Sequence, residues 1–360
     1  MHLTALTLHH FRNYTRATIP FAPGMNVIQG NNGAGKTNLL EAIYLLTTGR
    51  SFRTAHLADL IQKGYDSFYL EAHFKREGVA QSLGFGFDKT KRTIYHNSSK
   101  QRGSSDLLGL FPSVLYAPKD SALIAGAPAD RRRFLNIQLA QMQPVYAYHL
   151  VRYHKARGQR NVLLKRHDTE TICSWEQVMA ESGHYLIEKR SQLITALRPK
   201  VADYIAALSP TDAPFNLHYQ PSIPLKENES QARGQQLMMR FQQERAKELL
   251  FGATLSGPHR DDLLISYCDR EAKVYASEGQ KKTCVAALKM AEWDHLASQI
   301  GCQPLFTIDD FGTHLDALRI ERLERQLTHF GQILVTTPHS PFPNASQLTI
   351  CDGQLTDQAV

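Results

Sequence analysis

Residues 30–37 read Gly-Asn-Asn-Gly-Ala-Gly-Lys-Thr, and this stretch decides the fold class. It matches G-x-x-x-x-G-K-[ST], in which glycines let backbone N–H groups surround a phosphate while the lysine and the hydroxyl reach phosphate oxygens and magnesium. A short apolar stretch, Met25–Gln29, precedes the loop. Apolar residues follow it at helical spacing, at Leu39, Ile43 and Leu46. The order strand, glycine loop, helix predicts an α/β domain with a triphosphate site.

The residues of this loop, the P-loop, are assigned by the chemistry that each one offers. Lys36 is expected to reach the β- and γ-phosphates, and Thr37 to ligate Mg²⁺. The residues expected to surround ATP are Gly30, Asn31, Asn32, Gly33, Ala34, Gly35, Lys36, Thr37 and Asn38. A chance glycine-rich turn is the alternative, and the flanking strand and helix argue against it.

A second candidate site is the apolar stretch Leu305–Ile308, which ends in Asp309 and Asp310. In P-loop ATPases a carboxylate at such a strand end holds Mg²⁺, and its neighbour can orient the attacking water. We therefore assign Asp309 to Mg²⁺ and Asp310 to the water, with Lys36 completing the catalytic set. Taken alone, paired aspartates after a strand more often form a turn or a helix cap, so the assignment depends on the P-loop upstream.

Residues 277–280 read Ser-Glu-Gly-Gln and precede a predicted helix. A serine and a glycine at a helix N-terminus can bind the γ-phosphate of a nucleotide held by another subunit, so Ser277, Gly279 and Gln280 are candidate ATP contacts. An ordinary serine N-cap explains the same residues equally well. The pattern predicts an ATP-dependent homodimer only together with the P-loop and the paired aspartates.

A stretch without acidic residues lies between Asp130 and Asp168. It is rich in arginine and lysine with tyrosines interleaved, as expected of a surface that contacts the phosphates of DNA. A solvated helix face is the alternative, although such faces normally mix charges of both signs. The candidate DNA-binding residues are Arg131, Arg132, Arg133, Arg152, Lys155, Arg157 and Arg160.

The composition of the whole chain is compatible with a polyanionic partner without requiring one. Its 360 residues include 41 Lys+Arg against 34 Asp+Glu, a formal net charge of +7 at pH 7. The five cysteines are far apart, odd in number and without C-x-x-C spacing, which argues against a zinc site or a disulfide framework. The chain shows neither a signal peptide nor a bilayer-spanning apolar run, so we expect a cytoplasmic protein without membrane association.

The predicted strands and helices divide the chain into two domains. Strand-like stretches occur towards both ends, whereas long helical segments dominate the middle, with breaks expected at prolines such as Pro199. The expected organisation is a discontinuous head over residues 1–119 and 252–360, with a helical lobe over 120–251 inserted into it. No segment keeps an a/d heptad over the three or four repeats that a long coiled coil requires.

Several motifs in one order resemble the RecF family of recombination mediators, which is related to the ATPase heads of Rad50 and SMC proteins. The matching stretches are 11–14 (Phe-Arg-Asn-Tyr), 30–37, 49–53 (Gly-Arg-Ser-Phe-Arg), 127–134 (Ala-Pro-Ala-Asp-Arg-Arg-Arg-Phe), 257–262 (Gly-Pro-His-Arg-Asp-Asp), 277–280, 309–310 and 315–316 (Leu-Asp). The resemblance covers nearly the whole chain. It implies an α/β fold: an ABC-type P-loop ATPase head, with a mixed sheet plus an antiparallel β part, and an inserted, mainly helical lobe.

The resemblance also implies a function. It implies a bacterial cytoplasmic protein of DNA repair, recombination, replication and the SOS response that dimerises with ATP and is a weak, DNA-stimulated ATPase. Such a protein is expected to bind duplex or gapped DNA, including single-strand/duplex junctions, and to act with RecR and RecO in placing RecA on gaps. In this chain the resemblance adds Arg12 and Asn13 as candidate adenine contacts.

The sequence departs from the family at two places near the paired aspartates. Thr313 and His314 stand where Ser-Glu is usual, and Thr337 stands where ABC ATPases place a switch histidine, with His339 two residues on. Slow hydrolysis is therefore expected, with nucleotide binding more important than turnover. Two other functions remain open: a soluble ABC ATPase that acts on a protein partner without DNA, and an adaptor that binds ATP without hydrolysing it.

Overall fold

The structure is a computed structural model that describes residues 1–101, 103, 107–223, 230–312, 317–338, 342 and 344–356. The chain divides into two compact units. The head unit comprises Met1–Asp120, Ala207–Pro210 and Ala286–Val360, and the helical unit comprises Ser121–Ala206 and Thr211–Val285.

Helices and strands are numbered in chain order. The helices are α1 (Lys36–Thr48), α2 (Ala122–Ala125), α3 (Pro128–Met142), α4 (Pro144–Arg166), α5 (Ile172–Leu208), α6 (Ser230–Phe251), α7 (Ala272–Tyr275), α8 (Glu278–Ile300) and α9 (Ala317–Leu327). The strands are β1 (His2–Phe11), β2 (Tyr14–Pro20), β3 (Met25–Gln29), β4 (Phe68–Arg76), β5 (Val79–Phe87), β6 (Arg92–His96), β7 (Ser99–Lys100), β8 (Ser113–Tyr116), β9 (Phe215–Gln220), β10 (Asp262–Tyr267), β11 (Arg270–Glu271), β12 (Leu305–Ile308), β13 (Ile333–Thr336), β14 (Ser346–Cys351) and β15 (Gln354–Thr356).

The P-loop and the paired aspartates follow strands of one six-stranded sheet in the head unit, with strand order β15-β14-β3-β13-β12-β8. Neighbouring strands from β14 to β8 pair in parallel, and β15 adds an antiparallel edge. β12 and β13 are short and wholly buried, and the three central residues of β3 are buried, as expected for strands covered on both faces. Because parallel strands end at the same edge, the residues that follow β3, β13 and β12 are brought together.

The second sheet of the head unit is antiparallel, with strand order β2-β1-β4-β5-β6-β7. Its strands alternate between the core and the other face, as in β4, where Phe68, Leu70 and Phe74 are buried. One hydrophobic cluster joins side chains of this sheet, of the parallel sheet and of α1, including Leu39 and Ile43. Apolar packing therefore holds the helix that follows the P-loop.

The helical unit contains a small antiparallel sheet of order β11-β10-β9 as well as its helices. The predicted domain boundary at residue 252 needs correction, because this unit extends to Val285. The strand-like sequence of β10 led to its assignment to the head. In the structure β10 pairs with β9 along its whole length. β9 has the alternation of a half-buried strand, with Phe215, Leu217 and Tyr219 buried. The prediction that residues 120–251 are helical overlooked this alternation.

α5 corrects the predicted break at Pro199, because the helix continues through this residue for 37 residues in all. A proline inside a helix removes a backbone hydrogen bond and costs roughly 3 kcal/mol. Leu193, Leu197 and Val201 are buried at four-residue spacing around it, so the packing of this apolar stripe outweighs the cost. Among the residues described, neither α5 nor any other helix is long and apolar enough to cross a membrane.

Candidate nucleotide-binding site

Three segments of the chain meet at the carboxyl edge of the parallel sheet. β3 leads into the P-loop, β12 leads into Asp309, and β13, which lies between those two strands, ends at Thr336. The pairing of β12 with β13 makes Asp309 and Thr336 neighbours. The fold thereby brings the predicted site residues Thr37 and Asp309 together, although 272 positions separate them in the chain.

Lys36 is buried and folds back over the P-loop. Its Nζ donates hydrogen bonds to the carbonyl oxygens of Gly30 (2.6 Å) and Asn31 (3.0 Å). The ammonium group is therefore held within the curve of the loop backbone, where it can meet the oxygens of an anion. Together with the backbone N–H groups and the N-terminus of α1, it forms the part of the site that is predicted to bind phosphate.

Two glycines of the P-loop allow close approaches that a side chain would block. Gly30 has a φ of 147°, and a Cβ there would lie 2.2 Å from the backbone oxygen of Ile350. Gly35 has a φ of 119°, and a Cβ there would lie 2.8 Å from the amide nitrogen of the Asn13 side chain. The shape of the loop therefore requires glycine at both positions.

Asp309 is the centre of the half of the site that is predicted to bind Mg²⁺. Its Oδ1 accepts hydrogen bonds from the hydroxyls of Thr37 (2.9 Å) and Thr336 (2.8 Å). Burial is the main cause that raises the pKa of Asp309 above 3.8, and the charge of Asp310 adds to the rise, while the two hydroxyls oppose it. A carboxylate with a hydroxyl oxygen beside it offers the hard ligands that Mg²⁺ prefers, so Thr37 and Asp309 fit a magnesium ion.

Asp310 lies next to this pair in an uncommon backbone conformation. Its φ is 55°, in the left-handed region that aspartate tolerates better than most residues. Its backbone N–H donates to the hydroxyl of Thr336 (2.9 Å), and its exposed carboxylate makes no hydrogen bond within the described part of the chain. The sequence reasoning missed Thr336. The short apolar run 333–335 (Ile-Leu-Val), which has the composition of a buried strand and leads directly into Thr336, is the signal that could have identified it.

The turn between β1 and β2 supports the P-loop. The Asn13 amide donates to the carbonyl oxygen of Ala34 (2.9 Å), and its Oδ1 accepts a hydrogen bond from Asn38 (2.8 Å). The Tyr14 hydroxyl donates to the carbonyl oxygen of Gly35 (3.0 Å). The adenine contact predicted for Asn13 stays a prediction, and in the structure its side chain connects the loop to the first turn of α1.

A buried carboxylate, Glu41 of α1, binds the other predicted adenine contact. Arg12 donates through Nε and Nη2 to the two Glu41 oxygens, both at 2.9 Å. The Ser51 hydroxyl donates to the same carboxylate at 2.5 Å, and the Arg53 guanidinium, 3.5 Å from it, donates to Asn38 at 2.7 Å. The sequence predicted no role for Ser51 and Arg53, which connect α1 to the segment that follows it.

Comparisons with known proteins give the relationships of the chain. The model of the family described as RecF/RecN/SMC N terminal domain matches residues 2–351. The DNA replication and repair protein RecF of Protochlamydia amoebophila (strain UWE25) is 45% identical over 343 residues, which cover 95% of each chain. The chain belongs to the RecF family.

Solved structures of RecF and of an SMC head have the same fold. One solved structure is that of the recombination mediator protein RecF with ATP, described as part of the RecFOR pathway. It is 28% identical to this chain and has a TM-score of 0.92, and the match covers 99% of this chain and 97% of that chain. An SMC head bound to the C-winged helix domain of ScpA is 16% identical, with a TM-score of 0.56 over 99% and 98% of the two chains. The predicted fold class, an ABC-type ATPase head, is therefore confirmed.

The serine of the predicted dimer motif caps a helix in this RecF-family chain. α8 begins directly after Ser277, whose N–H donates to the side chain of Gln280 (2.8 Å), while the N–H of Gln280 donates to the Ser277 hydroxyl (3.3 Å). This reciprocal pair is a capping box, so the ordinary N-cap explanation describes the single chain. A contact from Ser277, Gly279 and Gln280 to the nucleotide of a second copy stays a prediction.

The band of basic residues on α3 and α4 has acidic partners that its own sequence lacks. Arg131 donates through Nε and Nη2 to the two oxygens of Asp262, at 2.7 and 2.8 Å. Arg152 pairs with Glu181 at 2.8 Å. Residues of other elements of the helical unit therefore compensate part of the charge that the sequence assigns to DNA.

The position of Arg160 contradicts the prediction that this residue contacts DNA. Its side chain is 0% exposed and pairs with Glu176 at 2.9 Å and with Glu248 at 2.6 Å. A buried guanidinium cannot reach a DNA phosphate, and this one connects α4 with α5 and α6. For the other six candidates, Arg131, Arg132, Arg133, Arg152, Lys155 and Arg157, whose side chains are exposed or partly exposed, the DNA contact stays a prediction.

Three positions at which the sequence departs from the RecF family lie outside the described residues: Thr313, His314 and His339. Thr337, at the place of the switch histidine, follows β13, and its N–H donates to the carbonyl oxygen of Ile28 (3.2 Å). Slow hydrolysis stays a prediction.

Proposed function

We propose that this RecF-family chain binds ATP with Mg²⁺ at the P-loop and hydrolyses the nucleotide slowly. The observation that carries the proposal is the 2.9 Å pairing of Thr37 with Asp309, next to a loop within which Lys36 is held. The related RecF of known structure contains ATP, which supports ATP as the nucleotide.

Each residue of the site has its own part in this reaction. The N–H groups of the P-loop and the ammonium of Lys36 bind the β- and γ-phosphates. Thr37 and Asp309 hold Mg²⁺, which when bound neutralises charge on these phosphates. Asp310 orients the attacking water with its exposed carboxylate, and the hydrogen bond from its N–H to Thr336 fixes its backbone.

The functional unit is proposed to be a homodimer that ATP closes. Ser277, Gly279 and Gln280 of one copy contact the γ-phosphate held by the P-loop of the other. The N-terminus of α8 supports this role, because the first N–H groups of a helix have no carbonyl acceptor within it and attract an anion; that of Gln280 donates to the Ser277 hydroxyl. Hydrolysis removes the bridging phosphate and reopens the dimer, so the bound nucleotide sets its lifetime.

The closed dimer is proposed to hold duplex or gapped DNA in the cytoplasm during repair, recombination and replication. The relatives are named DNA replication and repair proteins, and the RecF structure is described within the RecFOR pathway. By this relationship, RecR and RecO are the proposed partners in placing a recombinase on gaps, and DNA stimulates the ATPase. The accessible basic side chains of α3 and α4 provide the phosphate contacts.

Sedimentation velocity with and without ATP and a gapped duplex tests the proposal. We expect the wild type to dimerise only with ATP and then to sediment with DNA. Lys36→Arg should lose both properties, because a planar guanidinium does not fit within the P-loop. Lys63→Arg, an exposed position of the same unit, is the control that should change neither. Dimerisation and DNA retention by Lys36→Arg would refute the proposed function.

The sequence leaves two other functions open, and each makes a different prediction. An ABC ATPase that acts on a protein partner has no salt-dependent affinity for DNA, whereas contacts to DNA phosphates make affinity fall steeply with salt. An adaptor that does not hydrolyse ATP gives the same phosphate release after Asp310→Asn. We expect that variant to retain ATP and to release phosphate about 100-fold more slowly than the wild type.

A further inference from the structure

Two small cavities of the helical unit share a wall formed by Arg157 and His259. The first has a volume of about 140 Å³ and is also lined by Arg132, and the second has a volume of about 260 Å³ and is also lined by Arg260. His259 and Arg260 belong to the 257–262 motif, none of whose residues is among the predicted nucleotide contacts. This grouping of cations around two recesses therefore needs its own explanation.

We propose that these two cavities, together the arginine pocket, bind one phosphate of a DNA backbone. Arg157 is the central donor, Arg132 and Arg260 contribute from the two sides, and His259 shapes the wall between them. The inference rests on the proposed DNA-binding function and assigns residues to it, including two outside the basic band of the sequence.

The arginine pocket differs from the rest of the basic band because no acidic side chain lines it. Elsewhere in the helical unit arginines are paired, as Arg131 is with Asp262 and Arg160 with two glutamates. In the described part of the chain, the three arginines of the pocket that are proposed as donors form no ion pair with a carboxylate. The charge of Arg157 and Arg260 is therefore available to an anion from outside, while Arg132 also lies in the field of Asp261 and Asp262.

Arg157 gives the most direct support for a bound anion. Its Nε is buried and has no hydrogen-bond partner within the described residues. Buried donors are nearly always satisfied, so an acceptor that enters the cavity would complete this one. A guanidinium presents its N–H groups in a planar fork that matches two phosphate oxygens, which makes a phosphate the acceptor that fits.

His259 holds the wall of the pocket and is neutral. Its Nε2 lies 3.1 Å from the carbonyl oxygen of Thr254 and so carries the proton, which leaves Nδ1 to accept the hydrogen bond from the Tyr153 hydroxyl (2.7 Å). Burial, followed by the charge of Arg157, lowers the pKa of His259 from 6.5 to about 3. The positive charge of the pocket therefore comes from its arginines.

The nearest acidic residue in the motif, Asp261, is occupied by other partners. Its buried carboxylate accepts hydrogen bonds from Arg190 (3.1 Å), from the Tyr219 hydroxyl and from the N–H of Ser222 (2.8 Å). Arg190 lines the first cavity, and this pairing compensates its charge. The backbone carbonyl of Asp261 accepts a hydrogen bond from Arg132 (2.8 Å), which holds that guanidinium at the cavity.

The surroundings favour a phosphate within a polymer over a free phosphate ion. Lys155 is exposed two residues before Arg157 on α4, and Arg260 is exposed at the second cavity. Positive charge therefore continues outside the recess, as expected where several successive phosphates pass. A free phosphate would use the pocket alone.

Anisotropy of a labelled duplex, measured with ATP over a series of salt concentrations, tests the arginine pocket. Arg157→Gln should reduce the salt slope by about one and weaken binding about fivefold at physiological salt, because one phosphate contact is lost. Arg260→Gln, at an exposed position where folding is unaffected, should change both in the same direction. Arg240→Gln removes the same charge from a surface ion pair with Glu244 and is the matched control.

The outcomes separate the pocket from the proposed function. If the wild type shows no salt-dependent DNA affinity, the proposed function fails and the pocket assignment fails with it. If the wild type binds DNA but Arg157→Gln and Arg260→Gln behave like Arg240→Gln, only the assignment is overturned. Inorganic phosphate at the same ionic strength as a chloride control should not displace DNA; displacement that depends on Arg157 would show that the pocket takes free phosphate instead.

Discussion

Asp309 illustrates how single residues make the nucleotide site. Its carboxylate accepts hydrogen bonds from the hydroxyls of Thr37 and Thr336, which lie towards opposite ends of the chain. The P-loop motif predicts Thr37 and the paired aspartates predict Asp309, because each belongs to a contiguous pattern. Thr336 has no such pattern around it, and only the insertion of β13 between β3 and β12 brings it to Asp309.

The two glycines Gly30 and Gly33 of the P-loop should differ sharply in their tolerance of alanine. Gly30→Ala places a Cβ 2.2 Å from the backbone of Ile350, so we expect a loss of about 2–3 kcal/mol in the free energy of unfolding. Gly33→Ala meets no atom within 4 Å and pays only for its φ of 83°, about 1 kcal/mol. Urea unfolding without nucleotide measures both, and equal losses would contradict this account of the loop.

His259 should make the stability of the protein depend on pH. Its pKa is lowered from 6.5 to about 3 on folding, mainly by burial, so below pH 6.5 the unfolded chain binds a proton that the folded protein does not. Stability is therefore lost as the pH falls from 6.5 towards 3. When the pH is lowered from neutral to about 5, the free energy of unfolding should fall by about 1–2 kcal/mol less for His259→Gln than for the wild type.

The control for this pH dependence is His218→Gln, which replaces an exposed imidazole on β9 of the same unit. Its unfolding free energy should follow that of the wild type across the same pH range. Parallel curves for His259→Gln and the wild type would show that the buried imidazole is not the cause.

Some secondary structure elements have the bounds that their local sequence pattern predicts, whereas in others tertiary packing outweighs a local signal. The strands β3 and β12 have the bounds that the sequence predicts, Met25–Gln29 and Leu305–Ile308. α5 runs through Pro199 because buried side chains on both sides of the proline hold the helix together. A local breaker signal cannot include the stabilisation that comes from distant partners, which is why this prediction was wrong.

Replacing Pro199 should stabilise α5. Pro199 is exposed within the helix, so Pro199→Ala restores a backbone N–H donor without creating a cavity. We expect the free energy of unfolding to rise by about 1–2 kcal/mol, after allowance for the greater freedom of the unfolded chain. Urea unfolding measures the change, with Asp203→Ala, also exposed on α5, as the control. A destabilised Pro199→Ala would mean that the proline is required for the path of the helix.

At the scale of the whole molecule, the P-loop and the proposed dimer motif belong to different units. The P-loop belongs to the head unit, whereas Ser277 and the first turns of α8 belong to the helical unit. Charge compensation is likewise a property of the folded unit, because Glu181 and Glu176 pair with Arg152 and Arg160, which have no acidic neighbour in the sequence.

Two substitutions of Ser277 should separate its capping role from the proposed contact between copies. Ser277→Asp keeps a good N-cap and should unfold within a few tenths of a kcal/mol of the wild type, whereas Ser277→Ala should lose about 1 kcal/mol. The aspartate should nevertheless abolish ATP-dependent dimerisation, because its charge repels a γ-phosphate. Sedimentation with ATP is the measurement, and a Ser277→Asp protein that still dimerises would leave Ser277 as a cap alone.

The sequence by itself determined the features that depend on neighbouring residues: the strand, loop and helix around residues 30–37 and the apolar strand before Asp309. Their geometry follows from backbone freedom and local hydrogen bonding, which a contiguous stretch carries in full. The tertiary structure alone decided that Thr336 joins Asp309, that Arg160 is buried, and that β10 pairs with β9. Sheet order and ion pairing join residues far apart in the chain, and no local pattern contains the free energy of those contacts.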